Sequence, residues 1–155
     1  MDNLDEPLVD FRSHAQSVTA GTQAVMKKQT EAILRQQLEK IGLSPTAEEV
    51  ALHHEISRGY RLATIESVAY SENWLLKLRQ ANQRIGFVTD AAFLHVLGMI
   101  WFRLCLNSSP LGGWLFRRYR NSSMASGYTP DWQEYLRFMA SIAFHMLRPK
   151  KKFYC

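Results

Sequence analysis

One stretch limits this chain more than any other: residues 90–106, DAAFLHVLGMIWFRLCL. Apolar side chains fill nearly every position, from Phe93, Leu94, Val96 and Leu97 through Met99, Ile100, Trp101 and Phe102 to Leu104 and Leu106. A helix apolar all round is either buried in a protein or placed in a membrane. Its uninterrupted part, residues 91–102, is far short of the roughly 20 residues that a span requires. Arg103 then breaks the run, and an arginine at mid-bilayer costs at least about 2.5 kcal/mol. The stretch therefore reads as the central buried helix of a small all-α domain, ahead of a helix lying on or dipping into a membrane surface. Thr89 or Asp90 caps it by accepting from an unpaired backbone N–H. Ala92, His95, Met99 and Arg103 share helical spacing and form its least buried stripe. His95 is expected to bond a neighbour, since no partner group for a ligand or catalytic histidine lies nearby in sequence.

The rest of the chain is punctuated as helices around this one. Residues 1–17 are acidic, hold Pro7 and show no sustained periodicity, so they read as a flexible arm, with Leu4, Leu8, Val9 and Phe11 available to pack. A first helix is expected over residues 19–41, with Val25, Ile33, Leu34, Leu38 and Ile41 as its apolar stripe and Gly42 as a left-handed stop. Ser44 then reads as a cap, Pro45 as the first helical residue and Glu48 and Glu49 as first-turn acids of a second helix running to Arg58. Residues 60–85 are helical again in two pieces, with Ser71 capping the restart and Gly86 closing the segment. Asn107-Ser108-Ser109-Pro110 starts a short helix or turn through residue 120, and NSSMASG, residues 121–127, reads as a loop.

Thr129-Pro130-Asp131 opens the last helix, residues 131–148. Its polar residues Glu134, Arg137, Ser141, His145 and Arg148 fall on one narrow line, which leaves Trp132, Leu136, Phe138, Met139, Ile142, Phe144 and Leu147 for burial or for a partner. Pro149 ends it. The expected architecture is a single compact bundle of about six helices over residues 18–148, with a frayed acidic N-terminus and a basic tail at 149–155. A chain of this length supports one well-formed core.

Charge is unevenly placed. Residues 1–102 hold ten Lys/Arg against twelve Asp/Glu, a balance of −2, while residues 103–155 hold nine against two, a balance of +7. The basic last third points to an acidic partner: nucleic acid, anionic lipid or an acidic protein surface. The acidic MDNLDEPLVD start is not expected to act as a secretory signal. Cys105 in the central helix and Cys155 at the last position make a poor disulfide pair, which favours a reducing, cytoplasmic setting. KKKFYC lacks the three residues after cysteine that a prenylation box needs.

Four places are candidates for function. Arg117, Arg118, Tyr119 and Arg120, with Lys150, Lys151 and Lys152, offer cations for phosphates and an aromatic ring for a base, although a solvated charged face is the simpler reading. Trp114, Leu115 and Phe116, just before the arginines, together with Trp132 and Phe138, form a candidate apolar partner surface, and the 110–120 segment also suits an interfacial membrane anchor. Residues 44–68 faintly resemble a helix-turn-helix, but Glu55 stands at the turn's usual glycine and Arg61 at a buried position, so an ordinary amphipathic helix pair is favoured. Glu49 and His53, four apart, could share a metal, with His54 turned away, but no further ligand completes the set. No phosphate-cradling glycine loop, nucleophile elbow or dinucleotide fingerprint is present.

The chain is therefore expected to be a non-enzymatic helical binding protein: an adaptor, chaperone or regulatory subunit working through protein contacts, including a self-dimer. A DNA- or RNA-binding regulator using the basic third is the second reading, and a peripheral membrane protein the third. No catalytic residue, metal, cofactor or small-molecule substrate is expected.

Overall fold

The computed structural model describes residues 18–59 and 61–147, and these form six α-helices and two short 3-10 helices with no strand. The helices are α1 (Val18–Lys40), α2 (Ala47–Ser57), α3 (Ile65–Ile85), α4 (Asp90–Asn107), α5 (Gly113–Asn121) and α6 (Trp132–Leu147). The 3-10 turns Ser109–Leu111 and Ser123–Gly127 flank α5. The expected acidic arm at 1–17, Tyr60, Arg148 and the basic tail lie outside the described residues. Among the described residues, no helix is long and apolar enough to cross a membrane.

The expected all-α bundle is observed, with α4 at its centre. Leu97, Gly98, Trp101, Phe102, Leu104 and Cys105 are buried, and α3 lies along one side. The stripe anticipated as least buried is the outer one: Ala92, His95 and Arg103 are exposed and Met99 is half-buried. His95 bonds a neighbour, donating through Nδ1 to the Gly127 carbonyl at 3.0 Å in the tautomer that carries its hydrogen there. Two turns on from His95, Phe102 sits among three rings, with centroids 5.7 Å from Tyr119, 5.8 Å from Tyr128 and 5.6 Å from Phe138. Edge-to-face ring contacts of this kind add to area burial, and they tie α4, α5 and α6 to one point.

NSSMASG, read from sequence as a loop, is instead a structural plug. Its 3-10 turn seats Met124 wholly out of solvent against α4. The close approach depends on two glycines. A Cβ on Gly98 would stand 2.7 Å from the Met124 carbonyl oxygen and 2.8 Å from the Tyr128 amide nitrogen, and one on Gly127 would strike the Leu94 carbonyl.

Local signals account for most helix ends, with three departures. The expected side-chain cap of α4 is not made: Thr89 stands at the cap without a capping bond, and Asp90 is taken by Arg79 and Gln83. The cap of α2 is Thr46 rather than Ser44: its hydroxyl accepts from the Glu49 amide at 3.2 Å while Glu49 reaches back to the Thr46 amide at 3.0 Å, a reciprocal capping box. Pro45 stands before that cap, and its carbonyl accepts from Arg35 at 2.6 Å. The two-piece helix over 60–85 is corrected to one helix starting at Ile65. Thr64 caps it with Ser67, and Ser71 is a buried mid-helix residue bonding back to the Ser67 carbonyl at 2.8 Å. The approach to α3 is not helical, because the Leu62 amide is drawn to the buried Ser108 hydroxyl at 3.1 Å. Gly42 (φ 75°) and Gly86 (φ 69°) supply the left-handed stops expected of them.

Candidate binding surface on the outer helix

Of the apolar residues that the sequence assigned to the interior or to a partner, α6 buries Phe138 and Ile142 and turns another set outwards. Placed at 3.6 residues per turn, Trp132, Leu136, Ala140, Ala143 and Leu147 fall within about 80° of one another. All five are exposed, Trp132 by 70 %, Leu136 by 56 % and Leu147 by 84 %. The line buried against the body consists of Phe138 and Ile142, roughly on the opposite side. The polar line expected to face solvent lies beside that buried line: Glu134, Ser141 and His145 are half-buried, and Arg137 alone of the described four is exposed.

Specific bonds hold the helix in this orientation. The Ser141 and Ser109 hydroxyls meet at 2.6 Å. Glu134 accepts from the Tyr128 hydroxyl at 2.7 Å and from the Asp131 amide at 3.2 Å, while Asp131 accepts from the Glu134 amide at 2.7 Å. The bond to Glu134 and partial burial push the Tyr128 phenol above its ordinary value. Bonded polar groups can lie inside at small cost, since a buried hydroxyl or carboxylate is expensive only when unpaired. Apolar groups on the outer side gain nothing from this arrangement, which is what makes the face stand out.

The residues singled out from sequence separate in space. Leu115 and Phe138 are wholly buried, and Trp114 and Phe116 are half-buried against the core, so of the five candidate apolar partners only Trp132 is freely presented. Leu136 and Leu147, expected to be buried or covered by a partner, belong to the surface of this chain. The basic cluster also divides. Tyr119 is core, 5 % exposed, with its phenol pushed up to about 12 by burial and, after that, by the neighbouring Cys105, Tyr135 and Tyr128 groups. It cannot stack on a base from there. Arg118 is spent on an ion pair with Glu72, whose side chain is nearly buried, and this pair clips α5 to α3. Arg117 remains exposed, and the Arg120 guanidinium lies 5.9 Å from the Phe116 ring centre. Lys150, Lys151 and Lys152 lie outside the described residues.

The other candidates are absorbed by structure. Between α2 and α3, residues 58–59 and 61–64 are not helical, so the Arg61 position of a helix-turn-helix does not form. Glu49 is held by Lys77 at 2.5 Å as well as by its cap. Burial opposes that carboxylate's charge, and the Lys77 and Thr46 bonds outweigh it, leaving the group below its ordinary value. His53 accepts from the Trp74 indole N–H at 3.3 Å, and burial, then His54, push its pKa down. Among the described residues, no three His, Cys, Asp or Glu side chains gather as a metal site. A groove of about 800 Å³ between α1 and α2 carries charges of both signs, including Lys27, Glu31, Glu55 and Arg61, and converges on no one chemistry.

Compared with known protein families, with curated proteins and with solved structures, the chain has no match.

Proposed function

We propose that this protein is a non-enzymatic binding protein, an adaptor or regulatory subunit in the broad sense, whose working surface is the outer face of α6. One observation carries the reading: α6 is fastened to the body by buried Phe138 and Ile142, with the bonded Ser141 and Glu134 half-buried beside them, so that Trp132, Leu136 and Leu147 face outwards. A soluble chain rarely presents a continuous apolar strip without using it for contact. The strip is about 22 Å long at 1.5 Å per residue. The side chains with most chemical potential, Glu49, Glu72, His53 and Arg118, each have a structural partner, which supports contact rather than catalysis.

The nucleic-acid reading is weakened by the burial of Tyr119 and the pairing of Arg118. A photocrosslinking residue placed at Ala140, in cells of the source organism, tests the proposal against the same residue at exposed Gln37 on α1. Products specific to position 140 are expected. Equal, sparse labelling at the two positions would overturn it.

A further inference from the structure

We infer that the outer face of α6 docks on an anionic membrane surface, with the helix lying in the plane of the interface. The inference rests on the reading of that face as the working surface, and goes beyond it by naming what the face meets. Three observations lead there.

The first is the sign of the charge. α6 contains one carboxylate, Glu134, and it is turned inwards and bonded to Tyr128 and the Asp131 amide. The exposed charge of the helix itself is Arg137. Asp131, exposed ahead of the helix, is the other acid of the last third and is engaged in capping. Past the helix the sequence continues Arg148-Pro149-Lys150-Lys151-Lys152, within a last third that carries +7. An apolar strip that itself carries no exposed carboxylate, on a helix whose exposed charge is Arg137 and which is followed in sequence by four basic residues, complements a surface that is apolar beneath and negative on top.

The second is the kind of side chain. Trp132 stands 70 % exposed at one end of the strip and Leu147 84 % at the other, with Met146 beside it at 64 %. Tryptophan favours the headgroup level, where a ring can be apolar on its faces and still donate its indole N–H. Leucine and methionine favour the acyl boundary just below.

The third is shape. The exposed residues lie roughly opposite the buried Phe138 and Ile142, so they form the crest of a helix and not the floor of a cleft. A bilayer conforms to a crest, whereas a protein partner must bring a matching groove.

The test uses the purified full chain and vesicles of phosphatidylcholine, with and without about one-third phosphatidylserine. Flotation is expected with the anionic vesicles, at least about tenfold above the neutral ones, and it should fall when salt shortens the screening length to a few ångströms. Leu136→Glu with Leu147→Glu changes two exposed positions and should lower flotation at least about tenfold while the circular dichroism spectrum stays that of the parent. Should that pair disturb folding, Lys150→Gln, Lys151→Gln and Lys152→Gln together, at positions beyond the helix, should still weaken anionic binding severalfold. Absence of flotation with anionic vesicles overturns the inference, as does undiminished flotation of both variants or a dimer by light scattering that buries position 140. If vesicles fail and position 140 crosslinks to a protein, the lipid inference falls and the binding reading stands. If vesicles fail and position 140 crosslinks to nothing, both fall.

Discussion

Gly98→Ala offers the sharpest test of how α4 is held. At an ordinary helix position this change stabilises, by about 1 kcal/mol, because alanine loses less backbone entropy than glycine. Here the added Cβ would lie 2.7 Å from the Met124 oxygen, 2.8 Å from the Tyr128 nitrogen and 2.9 Å from the Tyr128 Cβ. Two of these three atoms are backbone, so no side-chain rotation relieves the contact, and the Ser123–Gly127 turn must move off the helix. Overpacking of this sort costs about 1–3 kcal/mol, with a rigid backbone obstacle at the upper end. Subtracting the propensity gain leaves a net loss of roughly 2 kcal/mol, and so a melting temperature lower by roughly 4–8 °C. Gly113→Ala is the control. Its Cβ would meet only the thioether end of Met146, at 3.2 and 3.4 Å, which is free to shift, so its stability should stay within about 1 kcal/mol of the parent. Urea titration followed by circular dichroism measures both, with an unchanged slope confirming the same unfolding transition. A Gly98→Ala protein as stable as the parent, or more so, would refute the close approach of helix and turn.

Two further outcomes are expected. Arg118→Met strands the Glu72 carboxylate, whose side chain is 8 % exposed, and should cost about 2 kcal/mol, less than a fully buried pair because the Arg118 side chain is itself 39 % exposed. Adding Glu72→Gln should restore more than half of that loss in the same denaturation assay. His53 is held below its ordinary value of 6.5, first by burial and then by His54. The unfolded chain therefore takes up a proton near that value that the folded chain refuses. More protons on the unfolded state means that stability falls as pH drops below about 6.5, until the folded pKa is passed. His53→Gln, which keeps an acceptor for the Trp74 indole, should flatten that part of the pH–stability profile. A profile unchanged by the substitution would contradict the buried, neutral histidine.

Several elements were legible from residue order because their causes are local. The apolar density of residues 90–106, too short for a span, favoured burial, and α4 is central, with Leu97, Trp101, Phe102 and Leu104 inside and Val96 left outside. Gly42 and Gly86 could act as stops without any tertiary help, since a glycine takes a positive φ unaided. Small errors came where two capping residues competed. Ser44 and Thr46 both precede an acid-rich turn, and Thr46 prevails because Glu49 stands three residues on and closes the reciprocal bond. The two-piece reading of residues 60–85 failed because Ser71, a cap by residue type, is satisfied within the helix by the Ser67 carbonyl.

Residue order alone settled that α6 carries one narrow polar line on an otherwise largely apolar surface, because helical spacing is a property of the chain. Which face turns inwards was decided elsewhere. It depends on Ser109 and Tyr128, which come from other segments and supply partners for Ser141 and Glu134, and on a ring cluster built from α4 and α5 that receives Phe138. Once those partners exist, Phe138 and Ile142 are buried, the polar line lies half-buried beside them at little cost, and the strip from Trp132 to Leu147 is left outside. A periodic pattern fixes the angle between faces but carries no information about what stands opposite each of them, and that is a tertiary fact.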